Sequence, residues 1–301
     1  MIKSIKNVLK KYGINYYLLL LKYKCNSLKT ISQKKKEISK NFKTKLGYEM
    51  DWNNPTSYLQ KMNYSKLLCV DEIKTKLTDK LSVRSWVKEK IGKEYLIPLL
   101  GVYERFTDIK FSELPETFVI KCNHDSASVT VCNDKENLDL RYLKKKYDYL
   151  IKRNFADVLY EMHYKDIEPK ILIEKHMGAN IDDYKFLCFD GEPVYCWVDT
   201  DRFINHKRSV FDMDWKIAPF TVGKVRRDTK EIEKPAKFEE MKQIAKKLCE
   251  GFAYVRVDLY LIDEKIFFGE MTFTSGAGQS RVFPIEWDYK LGEMWNLNGK
   301  K

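Results

Sequence analysis

Hydrophobic and polar positions alternate most regularly in residues 254–273, where two runs rich in β-branched and aromatic side chains flank a short polar stretch. This pattern predicts a β-hairpin. A loop of Asp263, Glu264 and Lys265 makes one face of the hairpin apolar, whereas a two-residue loop would shift the register and break that face. The sequence therefore favours an odd loop. The expected apolar pairs are Val257 with Met271, Leu259 with Gly269, and Leu261 with Phe267.

The other face of this hairpin carries charge, because the same register places Asp258 opposite Glu270 and Arg256 opposite Thr272. Side chains directly opposite in an antiparallel pair lie roughly 5 Å apart at Cβ, so two carboxylates in a dry site need a cation. Mg²⁺ prefers oxygen ligands and completes its shell with phosphate oxygens and water. The pattern thus predicts a metal and nucleotide site. The alternative is a solvated hairpin face whose charges have no function.

A second informative stretch, residues 117–132, has two β-type arms around a polar loop at 123–128, with Lys121 at the end of the first arm. Backbone N–H groups of such a loop can hold phosphate oxygens, and a lysine at its base adds a point charge. Glycine normally permits this close approach, and the loop contains none. Taken alone, an ordinary surface hairpin is the favoured interpretation.

Residues 184–198 predict another hairpin, turned by Asp190-Gly191. Lys185 shares one face of its first arm with Leu187 and Phe189, so it would need an anion nearby if it were buried. The other predicted elements are a buried strand over 169–178, helices over 67–91, 138–160 and 238–249, and a helix start at Asn54-Pro55.

Composition narrows the possible partners and chemistry. The chain has 301 residues, 44% of them hydrophobic, as expected for a globular protein of one large domain or two to three lobes. A net charge of +12 favours anionic partners such as nucleotide phosphates, acidic sugars or anionic lipid. The seven cysteines form no Cys-x-x-Cys pair and the four histidines show no ligand spacing, so zinc and thiol chemistry are poor candidates. Scattered cysteines are typical of a reducing, cytoplasmic compartment.

The first 45 residues form a distinct basic segment. Residues 22–45 carry nine lysines against one glutamate, and the apolar run at 16–21 is far too short to span a bilayer. A basic amphipathic helix can lie on an anionic membrane surface such as the inner face of the cell membrane. The favoured alternative is a helix packed on the body with a solvated lysine face. Because these lysines lie outside the stretches that carry chemistry, we expect no nucleic-acid partner.

The order of these features resembles the ATP-grasp superfamily, and more narrowly its TupA-like branch, which is linked to teichuronopeptide and capsular polysaccharide synthesis. The similarity runs from about residue 46 to residue 295. It is carried by Asn54-Pro55-Thr56, Ser82-Val-Arg-Ser-Trp-Val-Lys-Glu-Lys-Ile-Gly92, Leu114-Pro115, Phe118-Val-Ile-Lys-Cys-Asn-His124, Ile173-Glu-Lys-His-Met177 and Phe268-Gly-Glu-Met-Thr-Phe273.

The resemblance implies an α+β fold in which two α+β lobes clamp ATP, preceded by the basic helical segment. The implied division has a basic N-terminal segment at 1–45 and a helical region at 46–115. A lid lobe at 116–177 would hold the nucleotide, and a C-terminal lobe at 178–301 would bind the metal.

The resemblance also implies roles for individual residues, by match of position. The nucleotide residues are Lys121 for the phosphates, His124 and Ser126 in the loop over the γ-phosphate, Glu174, Lys175 and Met177 at the adenine, Asp182 or Asp183 at the ribose, and Lys185 at the phosphates. The Mg²⁺ ligands are Asp258 and Glu270, with Thr272 where many relatives have asparagine.

The implied reaction is ATP- and Mg²⁺-dependent ligation. ATP phosphorylates a carboxylate, and an amine such as an amino acid then displaces phosphate from the acyl phosphate to give an amide. Arg256, Arg202 and Lys121 are the catalytic candidates, and a polar, flexible loop at 274–281 could contact the acceptor, an acidic sugar or polysaccharide. A phosphotransferase stays open. So does a glycosyltransferase of the same pathway, for which Asp199-Thr-Asp201 is the available metal motif.

Overall fold

The computed structural model describes residues 14–126, 128–178, 181–200, 207–223 and 232–297. The described helices are α1 Ile14–Ser27, α2 Ile31–Leu46, α3 Tyr58–Leu68, α4 Glu72–Thr78, α5 Val83–Lys90, α6 Leu140–Lys152, α7 Ala156–Leu159, α8 Phe238–Cys249 and α9 Glu286–Glu293. The described strands are β1 Leu99–Tyr103, β2 Phe118–Cys122, β3 Thr130–Cys132, β4 Ile171–Lys175, β5 Asp182–Phe189, β6 Glu192–Thr200, β7 Lys207–Asp212, β8 Thr221–Val222, β9 Tyr254–Ile262, β10 Lys265–Thr272 and β11 Val282–Phe283.

The chain divides into two compact units. Unit one comprises Met1–Lys34, Asp79–Leu81 and Pro98–His176, and unit two comprises Lys35–Thr78, Ser82–Ile97 and Met177–Lys301. No described helix is both long enough and apolar enough to cross a membrane. The division of the chain into segments with nucleotide-holding and metal-binding roles stays a prediction.

Unit one is built on a four-stranded antiparallel sheet of order β1-β4-β2-β3. Its apolar face packs against α6, whose Leu143, Tyr147 and Leu150 are buried. The Tyr147 hydroxyl donates to the Ile120 carbonyl at 2.9 Å and to the Ser128 carbonyl at 3.0 Å. The helix thereby fixes both strand β2 and the end of the loop that follows it. The predicted arms around this loop are confirmed as β2 and β3.

Unit two is built on a five-stranded antiparallel sheet of order β10-β9-β5-β6-β7. One face, with Phe186 and Val257 at its centre, is covered by the apolar face of α8. Part of the opposite face packs against α3 through Tyr58, Leu59 and Met62. The remainder of that second face carries the polar side chains described below. The hairpin predicted around Asp190-Gly191 is confirmed as β5 and β6, and α8 has the predicted bounds.

Helix α3 begins later than the sequence indicated. Its N-cap is Ser57, not Asn54, and Pro55 lies before the helix. The Ser57 hydroxyl accepts from the Gln60 N–H at 3.2 Å, and the Gln60 side chain accepts from the Ser57 N–H at 3.2 Å. This reciprocal capping box satisfies two backbone donors that the first turn leaves unpaired, so it outcompetes the single asparagine cap.

The continuous helix predicted over 67–91 is wrong, because the chain breaks twice to form α4 and α5. The second break includes Asp79–Leu81, which belongs to unit one. There the Lys80 N–H donates to the Asn123 carbonyl at 3.2 Å, and the Asp79 carboxylate accepts from the Asn123 side chain at 2.8 Å. These bonds within unit one replace the helical hydrogen bonds that the local sequence favours.

We expect Ser57→Ala to lower the free energy of unfolding by about 1 kcal/mol, because it removes the side-chain half of the capping box. Urea denaturation followed by circular dichroism measures the loss. Ser32→Ala, at an exposed position on α2, is the matched control and should leave the midpoint unchanged. Equal midpoints for the two variants would contradict the stabilising role of the cap.

Candidate functional site

The hairpin of β9 and β10 turns through two residues, so the predicted three-residue loop is wrong. Asp263 and Glu264 have φ values of 48° and 59°, and Lys265 pairs with Ile262. Two consecutive left-handed residues form the type of turn that matches the twist of paired strands. Beyond this turn Phe268 faces Leu259, so the predicted pairs of Leu259 with Gly269 and Leu261 with Phe267 do not form.

A β-bulge at Gly269 restores the predicted register in the second half of the hairpin. Between the pairs Phe268–Leu259 and Glu270–Asp258 the register shifts by one residue. Asp258 therefore faces Glu270, Val257 faces Met271 and Arg256 faces Thr272, which confirms these three predicted pairs. An extra residue on one strand moves every later side chain to the other face of the sheet. The bulge is thus what brings the two carboxylates together.

Glycine is required at the bulge because backbone approaches it closely. A Cβ atom at position 269 would lie 2.9 Å from the carbonyl oxygen of Asp258. Real Cβ atoms do not approach backbone oxygen so closely, so any larger residue would push strand β9 away at the residue that carries the carboxylate.

The guanidinium of Arg256 holds the acidic pair together. Its Nε and Nη2 atoms donate to the two carboxylate oxygens of Asp258, both at 2.6 Å. Nη2 also donates to Glu270 at 3.0 Å and Thr272 at 3.1 Å, and Nη1 donates to the Ser275 hydroxyl at 3.1 Å. Such a bidentate, charge-assisted fork is the strongest class of protein hydrogen bond. One guanidinium therefore bonds to both acids and orients the hydroxyl beside them.

Burial shapes the proton equilibrium of this pair. Desolvation raises the pKa of Asp258 to about 7, with the nearby Arg256 and Lys185 charges opposing the rise and the Glu270 carboxylate adding to it. Without a further cation, Asp258 exchanges a proton near neutral pH.

Lys185 lies in the same row of the sheet as the acidic pair. Strand pairing places it beside Asp258 on β9 and beside Trp197 on β6. Lys185 is 4% exposed, and its Nζ pairs with Asp183, with Asp199 at 3.4 Å and with Asp258 at 3.8 Å. The expectation that a buried Lys185 requires an anion is therefore met by three carboxylates.

A further ion pair, which the sequence did not reveal, extends the row. Arg208 donates to both oxygens of Asp199, at 2.6 and 2.8 Å. The Trp197 ring is approached by Arg208 at 4.9 Å and by Arg256 at 5.7 Å from its centroid. Arg208 lies on β7, after a stretch with little pattern, and only its pairing opposite Asp199 identifies it.

The described part of this cluster mixes both signs of charge. Its cations are Lys185, Arg208 and Arg256, and its carboxylates are Asp183, Asp199, Asp258 and Glu270.

The donor set fits Mg²⁺ by its chemistry. Asp258, Glu270 and Thr272 present hard oxygen atoms on one face of the sheet, and the Thr272 hydroxyl donates to Glu270 at 2.7 Å. No group of three or more His, Cys, Asp or Glu side chains within the described parts of the chain could hold a metal. Substrate phosphate and water would have to supply the remaining ligands.

In unit one, Lys121 pairs with Glu174. Lys121 on β2 and Glu174 on β4 are joined by an Nζ–Oε2 distance of 2.6 Å, and both are largely buried. Lys175, the next residue, is exposed and its N–H donates to the Pro98 carbonyl at 2.9 Å. Met177 is half-buried and is the first residue of the last segment of unit two.

The loop after β2 is held by its own side chains. Asn123 donates to Asp79 and to the Glu168 carbonyl, while the His124 ring contacts the Leu150 carbonyl at 3.0 Å and Asn123 at 3.2 Å. Burial lowers the pKa of His124. These inward-facing side chains order the loop in place of the flexibility that glycine would provide.

Two further loop residues also face inward. Asp125 accepts from Arg153 at 2.7 Å, and the Ser128 hydroxyl accepts from the Cys122 N–H at 2.9 Å. Ser126 is exposed, and Ala127 lies outside the described residues. Among the described residues of this loop, Ser126 therefore has the side chain most accessible to a ligand.

Other predicted positions are distributed as follows. Asp183 is buried beside Lys185, whereas its neighbour Asp182 is exposed. Arg202 and Asp201 lie outside the described residues. Asp199, the first acid of the alternative glycosyltransferase motif, is occupied by Arg208 and Lys185.

The segment after β10 is anchored, contrary to the expectation of a flexible loop. Gly276, Ala277 and Gly278 have φ values of 56°, 53° and 69°. The buried Lys66 donates to the Ala277 carbonyl at 2.8 Å, and Asn63 donates to the Gly278 carbonyl at 2.8 Å. Helix α3 thus fixes the loop that also supplies Ser275 to Arg256.

The family profile described as TupA-like ATPgrasp matches residues 60–296. None of the curated proteins matches the sequence. Among solved structures, D-alanine–D-alanine ligase from Bacillus anthracis complexed with ATP is 17% identical, covers 66% of this chain and 54% of its own, and has a TM-score of 0.38. L-amino acid ligase from Bacillus licheniformis is 11% identical, covers 73% and 49%, and has a TM-score of 0.45.

D-alanine–D-alanine ligase from Helicobacter pylori is 14% identical, covers 75% of this chain and 60% of its own, and has a TM-score of 0.42. The chain thus spans between about half and three fifths of the length of these structures.

We expect Gly269→Ala to destabilise unit two by about 1–3 kcal/mol, because its Cβ would be forced against the Asp258 carbonyl. Denaturation of the purified variant measures the change. Gly101→Ala is the control, because that Cβ would meet the movable ring of Tyr103 rather than backbone. If both variants were as stable as the wild type, the close approach at the bulge would not be a constraint.

Proposed function

Because the chain belongs to the TupA-like ATP-grasp family, we propose that it is an ATP-dependent ligase that joins an amine, such as an amino acid, to a carboxylate of a cell-surface polysaccharide or its lipid-linked precursor. The fold is that of ATP-grasp enzymes, with antiparallel sheets and helices in both units. The observation that carries the proposal is the arrangement of Asp258, Glu270 and Thr272 on one face of a hairpin beside Lys185.

In unit two, Asp258, Glu270 and Thr272 would hold Mg²⁺, which supplies positive charge to the transferring phosphoryl group. Lys185 and Arg256 now share their charge with these carboxylates. With a cation on the carboxylates, Lys185 and Arg256 would be the nearby positive charges available to phosphate oxygens or to the acceptor carboxylate. We assign the ribose hydroxyls to Asp183, and Arg202 stays a candidate for binding the acceptor.

In unit one, we assign nucleotide phosphate to Lys121, with Glu174 as its positioning partner. The loop after β2 would offer backbone N–H groups and the Ser126 hydroxyl to the γ-phosphate. Because both ring nitrogens of His124 have protein partners, its contribution would be to hold the loop in shape. Lys175 and Met177 would meet the adenine through their backbone.

The reaction we propose passes through an acyl phosphate. The acceptor carboxylate oxygen attacks the γ-phosphorus of ATP, and the bond to the bridging oxygen of ADP breaks. The amine then displaces inorganic phosphate from the acyl carbon and loses a proton to solvent, which leaves the amide. Preorganised cations stabilise the charge on the transferring group in each step. The net charge of +12 supports an anionic acceptor. Lipid-linked precursors are anchored in a membrane, so we place the reaction in the cytoplasm at the membrane's inner face.

We expect the double variant Asp258→Asn, Glu270→Gln to lose Mg²⁺-dependent ATP binding. A ligand at ~100 times its dissociation constant stabilises a protein by about 2.7 kcal/mol, which appears as a rise in melting temperature. Wild type should show this rise with Mg²⁺ and ATP, and the double variant should not.

Asp263→Asn, Glu264→Gln makes the same two chemical changes at the turn of the same hairpin and is the matched control. It should retain the full stabilisation by Mg²⁺ and ATP. An undiminished shift in the Asp258 and Glu270 variant, or a shift with UDP-glucose alone, would contradict the proposed site.

We also expect Mg²⁺ binding to weaken as the pH falls. Protons compete with the metal for Asp258, whose pKa in the metal-free protein is raised to about 7 by burial. The carboxylate is ionised above this pKa and protonated below it, so the apparent Mg²⁺ dissociation constant should rise roughly five-fold over the first pH unit below it and approach a ten-fold rise per unit at lower pH.

Calorimetric titration of Mg²⁺ into the protein with ATP, across this pH range, measures the dependence. A titration of Mg²⁺ into ATP alone in the same buffers corrects for protonation of the nucleotide. An unchanged protein-specific affinity would mean that Asp258 is not a ligand.

A further inference from the structure

Helix α1 is apolar on two sides, although only one side packs on the part of the chain that the structure describes. Tyr16, Leu19, Leu20 and Tyr23 face the core of unit one, and the Tyr16 ring stacks on Tyr149 with centroids 4.5 Å apart. Asn26, at the same side of the helix, donates to the Asp157 carbonyl at 2.9 Å. This side alone is sufficient to hold the helix in place.

The opposite side of α1 carries Tyr17, Leu18 and Leu21, and two more exposed apolar residues follow this helix: Leu28 in the turn after it and Ile31 at the start of α2. We define these five residues as the exposed apolar stripe, and their side chains are between 44% and 78% exposed. At 100° per residue, Tyr17, Leu18 and Leu21 lie within about one third of the circumference of α1. Single exposed apolar side chains are common, but a continuous row of large ones on a stably packed helix marks an interaction surface.

Lysines border this stripe on both sides. Lys22 lies one helical turn after Leu18, and Lys24 lies one turn before Leu28; both are exposed. Long lysine side chains at the edges of an apolar stripe can rest along it while their ammonium groups reach outward. An apolar centre with cationic edges is the arrangement of helices that lie in a lipid headgroup region.

We infer that the exposed apolar stripe of α1 binds the surface of an anionic lipid bilayer. The choice of occupant follows from charge. A second copy of the chain on this stripe would bring its lysines close to Lys22 and Lys24, and like charges repel. Residues 1–13 would cause the same repulsion, because they contain four lysines and no acidic residue. Anionic headgroups instead satisfy Lys22 and Lys24 while the acyl-chain boundary accepts the leucines. None of the residues of this stripe is assigned to nucleotide or metal.

Vesicle flotation of the full chain tests the inference without ATP. Wild type should float with vesicles of phosphatidylcholine and phosphatidylglycerol at roughly two to one, and not with phosphatidylcholine alone. Binding should weaken when salt is raised from ~0.05 M to ~0.5 M, because salt screens the lysine charges.

The decisive variant is Leu18→Gln, Leu21→Gln, Leu28→Gln, which keeps the lysines and should reduce vesicle binding by at least about ten-fold. The matched control is Ile217→Gln, Phe283→Gln, Ile285→Gln, three exposed apolar residues of unit two, and it should bind as wild type does. The rise in melting temperature with Mg²⁺ and ATP should be equal in both variants. Because this rise reports nucleotide binding and flotation reports membrane binding, the two proposals can fail independently.

Several outcomes would overturn the inference. The inference is overturned if the wild-type protein does not float with anionic vesicles. It is also overturned if the variant at Leu18, Leu21 and Leu28 binds these vesicles as strongly as the wild type. A change from dimer to monomer in that variant, with vesicle binding retained, would assign the stripe to a second copy. If vesicle binding were lost on deletion of residues 1–13 but kept in the triple variant, residues 1–13 and not the stripe would bind the membrane.

Discussion

The candidate site depends on the pairing of one buried arginine with two carboxylates, of which Asp258 is buried and Glu270 is partly exposed. Asp258 and Glu270 face each other across a hairpin, and like charges at that distance repel unless a cation lies between them. Arg256 supplies that cation through its planar fork, and Ser275 and Thr272 satisfy its remaining donors. Removing Arg256 would leave buried charge uncompensated, which costs far more than the pair itself contributes.

This constraint extends across the five-stranded sheet. Strand pairing places Lys185 beside Asp258 and brings Arg208 to Asp199, so each buried acid has a cation within reach. The cluster is rigid because its opposite face is a packed apolar core and because α3 anchors the loop that carries Ser275. Such support suits a site whose hydrogen-bond donors must already be in position when negative charge develops on a substrate.

Sequence reasoning placed the acidic pair correctly and the turn incorrectly. Alternation identified Asp258, Glu270, Arg256 and Thr272 as one face, because side-chain alternation along a strand is strict. The predicted loop length is wrong, because the turn is one residue shorter than expected. The acids still pair because the bulge at Gly269 shifts the register back by one residue. Nothing local distinguishes a bulge glycine from a paired one; only the close approach of the Asp258 carbonyl does so.

The sequence by itself determined the hairpins, the apolar faces of the sheets, the basic character of the N-terminal segment and the polar face that Asp258 shares with Arg256, because these follow from periodicity and side-chain chemistry along a continuous chain. The pairing of Asp258 with Glu270 required the bulge at Gly269 as well. Only the tertiary structure decided that β5 lies between β9 and β6 and so brings Lys185 to Asp258. It likewise decided that residues 79–81 leave a helix to bind Asn123. Contacts between distant segments depend on how backbone groups find partners across the fold, and that information is not contained in any local pattern.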